Sequence, residues 1–138
     1  MTRSVGTIDY PKKYLLDSMI SIEAGEFQGK ISEAINTYSV IGNMNEHQLI
    51  IGETTWGGRW EQVDTTGIMD YGSLIYIALE RCSTAREAIA MIYDLTSKYG
   101  YASEGESFSL ADKDEVWVMD LIGKGDFGKG IVFVARRV

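Results

Sequence analysis

One cysteine and one histidine are the only residues in this sequence from which a thiol nucleophile and an imidazole base could be assembled. Cys82 and His47 would have to meet in space, since such a pair needs adjacency in the fold and not in the chain. The position of Cys82 argues against it. With Tyr71, Leu74, Ile75 and Ala78 it continues one apolar helical stripe, where a free thiol behaves as a small hydrophobe with a raised pKa. A serine nucleophile is no better placed. Gly105-Glu106-Ser107-Phe108-Ser109 follows the G-x-S-x-G elbow until its last residue, and a strand pattern stands where the elbow requires a helix. Thr2, after a removable Met1, could act as an N-terminal nucleophile with its own amine as base, but Thr2-Arg3-Ser4-Val5-Gly6 lacks the pattern of a core strand.

Gly123-Lys124-Gly125-Asp126-Phe127-Gly128-Lys129-Gly130 approaches a phosphate-binding loop, yet its last position offers no hydroxyl for Mg²⁺. A strand, Ile131-Val132-Phe133-Val134, follows where a helix N-terminus would have to face the phosphates, so the segment reads as a connection. A single histidine builds no zinc site, and Asp112, Asp114 and Glu115 read as a solvated turn. No metal or other cofactor is expected. Trp56-Gly57-Gly58-Arg59-Trp60 combines mobile backbone, aromatic surface and a guanidinium. It suits a small polar ligand with a carboxylate as well as it suits a packed loop closing a strand.

The elements that must position these groups follow from periodicity and punctuation. Thr37 to Gly42 and His47 to Trp56 are β-rich runs, and Asn43-Met44-Asn45-Glu46 between them suits a tight reversal. The second run begins apolar and turns polar at Glu53, as a core strand would if its far end opened into a cleft. Helical spacing runs from Met69 to Cys82. A second helix starts at the capping box Thr84-Ala85-Arg86-Glu87 and stops at Gly100. Ser107 to Ala111, Glu115 to Ile122 and Ile131 to Val138 then read as three antiparallel strands. Residues 1–36 are irregular, with Tyr14, Leu15, Met19, Ile20 and Ile22 fitting neither period. Hairpin, helix pair and meander, with no βαβ alternation, define an α+β class with antiparallel sheet in a single partial domain spanning 1–138.

Composition narrows the partners. Apolar residues make up 45% and charged residues 24% of 138, which is ordinary for one globular domain. A net charge of −7 opposes phosphate backbones and anionic membrane surfaces, so neither nucleic acid nor membrane is an expected partner. One cysteine precludes an internal disulfide framework, and the apolar run Leu74 to Leu79 is far below the roughly 18 residues of a spanning helix.

Several stretches carry a family likeness: Gly42-Asn43-Met44-Asn45-Glu46-His47, Gly52-Glu53-Thr54-Thr55-Trp56-Gly57-Gly58-Arg59 and Gly67-Ile68-Met69-Asp70-Tyr71-Gly72. To these add Thr84-Ala85-Arg86-Glu87-Ala88, Tyr99-Gly100-Tyr101, Glu104-Gly105-Glu106-Ser107-Phe108-Ser109 and Val134-Ala135-Arg136-Arg137. In this order and spacing, over roughly Gly25 to Val138, the sequence resembles the cysteine dipeptidase family that also contains the secernins. The resemblance implies an αββα N-terminal-nucleophile hydrolase fold. It also implies a dipeptide substrate attacked by an N-terminal cysteine whose α-amino group serves as base. Only 44 residues precede Asn45 and none is cysteine. The expectation is therefore an internal fragment, inactive alone, whose first partner is the remainder of its own polypeptide. A non-catalytic domain that keeps the scaffold for binding is the alternative, and homo-oligomer formation stays open.

By analogy with amide hydrolases of the same superfamily, the resemblance puts Thr55 at the oxyanion-stabilising position, as the catalytic candidate. Asn45, Glu53 and Thr54 belong to the same strand region. Glu106 and Ser107 face the pocket from the second hairpin. These five are the candidate substrate-binding residues, with a glutamate placed to hold a dipeptide's free amine.

Overall fold

Three polar side chains decide where this chain bends. In a computed structural model of the protein, which describes residues 2–5 and 29–138, the Asp70 carboxylate accepts from Ser73 N at 2.6 Å and starts helix α1, Tyr71–Arg81. Thr84 and Glu87 exchange hydrogen bonds in a capping box that starts helix α2, Ala85–Tyr99. The α2 helix stops at Gly100, whose φ of +80° a side chain would resist, and a Cβ there would meet Gly67 Cα at 2.7 Å.

The strands are β1 (Thr2–Val5), β2 (Gly29–Ser32), β3 (Val40–Ile41), β4 (Met44–Asn45), β5 (Ile50–Trp56), β6 (Gly105–Ala111), β7 (Val116–Gly123) and β8 (Ile131–Arg137). Strands β3 to β8 form one antiparallel sheet in sequence order, and β1 pairs with β2 in a separate ribbon. The architecture is α+β: a helix layer and an antiparallel sheet of an αββα-type sandwich.

Two local expectations change. The stretch Thr2–Val5 is a strand, although its sequence shows no core-strand pattern, because its pairing with Gly29–Ser32 supplies what alternation does not. The reversal expected at 43–46 falls instead at Gly42-Asn43, where Gly42 has φ +57°, and the chain turns again after Asn45. The cause is the Asn45 side chain: its Oδ1 accepts from His47 N and Leu49 N, an Asx-type turn that ends β4 after two residues. The segment expected as irregular, residues 1–36, lies partly outside the described residues, and the Tyr14 to Ile22 stretch lies wholly outside them.

Register sorts the sheet residues between two faces. Ile51 pairs with Leu110, which pairs with Trp117, and Phe108 pairs with Met119. This row carries the core and meets Leu74, Ile77, Ala78, Ala88 and Ile92 of the helices. The opposite face carries Val132 and Val134, 56% and 62% exposed, beside Ile122 and Trp56. Asp112, in the β6–β7 turn, reaches back to accept from Ala85 N at 2.8 Å, so the meander is latched to the start of α2. Burial stabilises this half-covered sheet through its helix face.

Candidate functional site

The polar end of β5 runs antiparallel to the start of β6, with Thr55 opposite Glu106 and Thr54 opposite Ser107. Period-two alternation therefore divides the expected site residues between the faces. Glu53, Thr55 and Glu106 lie on the helix side and touch one another. Thr54 and Ser107 lie on the other side.

On the helix side the Thr55 hydroxyl stands 3.2 Å from Glu53 Oε2 and 3.1 Å from Glu106 Oε2. A threonine hydroxyl has one proton to give. Two carboxylates at hydrogen-bond distance from it are both satisfied only when one of the carboxyls is itself protonated. Glu106 is the one. It is fully buried, its Oε1 has no hydrogen-bond partner among the described residues, and burial, followed by the charge of Glu53, pushes its pKa up to about 8. Close to Glu106 lies Tyr101, also fully buried, whose hydroxyl meets Ser103 without a well-formed hydrogen bond among the described residues. Burial, and then the Glu106 charge, hold that phenol protonated far above its ordinary range. The charges of Asp70 and Tyr71, at the start of α1, push the same phenol up as well.

On the other side, Ser107 Oγ accepts from Trp56 Nε1 at 3.2 Å and donates to Asp120 in a short hydrogen bond. The Trp56 ring lies across Gly105, where a Cβ would come within 2.6 Å of it. Thr54 is exposed on this same face. The glycine loop after Trp56 is fixed by Gly58 N donating to Glu104 at 2.6 Å.

Asn45 sits at the opposite end of β5, apart from Thr55. Its amide donates to Leu79 O at 2.8 Å and Cys82 O at 2.7 Å, and its oxygen accepts from His47 N and Leu49 N. All of this buried side chain is engaged with backbone, and it ties the end of α1 to the β4–β5 connection. Cys82 is 1% exposed, and burial pushes its thiol up to about 12. His47 packs edge-on to Tyr38 and lines a cavity of about 330 Å³ with Glu46, Gln48, Ser83, Thr84 and Lys113. Cys82 is not part of that lining. Among the described residues no group of three or more His, Cys, Asp or Glu could hold a metal ion.

Two participants were not singled out from sequence. Asp120 was visible in principle as the one acid in an otherwise apolar strand. Tyr101 follows a helix stop and carries no local signal of what its hydroxyl meets.

A helix pair on an antiparallel sheet, with polar groups gathered where two central strands end, is the build of an N-terminal-nucleophile-type hydrolase. The model of Peptidase family C69 matches residues 2–138, and the chain belongs to that family. Its chemistry is accordingly that of a peptide hydrolase.

Proposed function

We propose that this chain serves a dipeptidase, and that Glu53, Thr55 and Glu106 form its contact with the substrate. The observation that carries the reading is the carboxyl pair joined through Thr55, a polar cluster at the open end of β5. A dipeptide brings opposite charges at its two ends, and an acidic cluster of this kind selects the amine end. Thr54 and Ser107, with Trp56 and Asp120, would form a second polar row across the sheet.

The nucleophile belongs to a residue outside this sequence. Its one cysteine is buried and holds its proton to about pH 12, whereas a working thiolate needs a lowered pKa and access. The test is a dipeptide panel. The chain by itself is expected to release no amino acids, and an enzyme that joins it to a cysteine-led strand from the same reading frame is expected to release them. Turnover by the chain alone that survives both Cys82→Ala and Thr2→Ala would overturn the assignment of the nucleophile.

A further inference from the structure

We propose that the outer edge of β8 pairs with the same edge of a second copy of this chain, joining two six-stranded sheets across a two-fold axis at Val134.

The sheet ends on two unlike strands. One edge, β3, has two residues, and so short a strand offers another chain little to pair with. The other edge, β8, has seven, Ile131–Arg137, and none of the described strands lies on its outer side. It carries none of the usual protections: no proline, no bulge in its register with β7, and no charge before Arg136. Apolar side chains are exposed on both of its faces, Val132 and Val134 on the open face and Phe133, against Tyr93 of α2, on the helix face.

The hydrogen bonds to β7 fix which backbone groups β8 offers. Val138 N donates to Val116 O at 2.9 Å, and Lys124 N donates to Gly130 O at 3.1 Å. In an antiparallel ladder the N–H and C=O of one residue point to the same side, and successive residues alternate. The even-numbered residues of β8 therefore bond to β7. The backbone groups of Ile131, Phe133, Ala135 and Arg137 point outward, where no strand among the described residues receives them.

One antiparallel register uses all of these groups. It sets Ile131 opposite the partner's Arg137 and Phe133 opposite the partner's Ala135, with the two copies of Val134 facing each other on the axis. Sliding either strand by two residues leaves an outward-facing residue at one end unused. The side chains agree with this register. Arg136 faces the partner's Val132 and Arg137 the partner's Ile131, so like charges do not meet directly, and Arg137 has Glu115 of its own chain at 3.4 Å. The contact uses the same patch on both copies, so association stops at two chains.

The experiment is sedimentation of the intact chain from micromolar to millimolar concentration. Strand edges bury little area, so the mass is expected to double as concentration rises. Val134→Lys, at an exposed position, puts two ammonium groups on the axis and should give a monomer at every concentration, with urea unfolding as the check that it is folded. Val134→Cys should oxidise in air to a disulfide-linked dimer, because residues opposed in a non-hydrogen-bonded pair have Cα atoms about 4.5 Å apart, within disulfide reach. Val132→Cys should stay unlinked, since its two copies stand roughly 13 Å apart along the strands. The native Cys82 is buried and takes no part. A wild-type chain that is monomeric throughout would give the edge to some other polypeptide segment and overturn the proposal. A dimer that survives Val134→Lys in a folded chain, or equal cross-linking of the two cysteine variants, would overturn it as well.

Discussion

A single hydroxyl proton at Thr55 decides between two roles for that residue. If Thr55 donates to the tetrahedral intermediate, the role that the family resemblance implies, Thr55→Val in a turnover-competent enzyme lowers kcat by roughly 10-fold to 1000-fold and leaves KM nearly unchanged. If it serves the carboxyl pair instead, the same variant raises KM with little change in kcat, because it then holds substrate and transition state alike. Electrostatics favour the second outcome, since a developing oxyanion would stand beside the Glu53 charge. Steady-state kinetics of the one variant separate the two. Tyr101 gives a sharper structural test. Its buried hydroxyl meets Ser103 but makes no well-formed hydrogen bond among the described residues, so Tyr101→Phe should change unfolding free energy by less than about 1 kcal/mol in the free chain. Loss of more than about 1 kcal/mol in a urea titration would mean that the hydroxyl has a partner in solution.

At the scale of elements, Asn45 joins three of them. Its four hydrogen bonds close the β4–β5 turn and take up the carbonyls of Leu79 and Cys82 at the end of α1. Asn45→Ala strands several buried groups at once and should cost roughly 3 kcal/mol. Asn45→Asp should cost more at neutral pH, because it replaces two donors by a charge aimed at two carbonyl oxygens. Chemical denaturation of the pair checks the order, and an aspartate variant as stable as wild type would show that Leu79 and Cys82 find other donors. The same residue shows what sequence could and could not disclose. Helix bounds were legible because Thr84, Glu87 and Gly100 act locally, and the meander was legible because strands alternate. The early end of β4 was not, since the Asn45 side chain both closes the turn to Leu49 and reaches helix carbonyls far along the chain. The division of Thr54 and Thr55 between faces follows from alternation alone. That Glu106 joins Thr55 while Ser107 joins Trp56 needed the register of β6 on β5, which no single segment specifies.

For the whole molecule, opposite pKa shifts bound stability from the two sides of the pH scale. Asp112, Glu87 and Glu115 have carboxyls held below their ordinary values, through hydrogen bonds from Ala85 N, from Ser83 and from Arg86 respectively. A depressed folded pKa contributes stability that is present above the unfolded value and lost as pH falls through the folded one, so these groups make the fold acid-sensitive. Glu106 acts the other way. Its folded pKa of about 8 lies above the ordinary 4.5, so between those values the folded chain binds more protons than the unfolded chain and stability declines as pH rises. The decline begins near pH 4.5 and levels off above about pH 8. Maximum stability is therefore expected on the acid side of neutrality, near the lower end of the Glu106 window. Glu106→Gln carries no such titration. The variant should match wild type near pH 5 and exceed it at pH 8.5, with the gap opening steadily between. Urea unfolding of both proteins across that range measures the gap. A constant difference at every pH would mean that Glu106 is ionised in the folded chain at neutral pH.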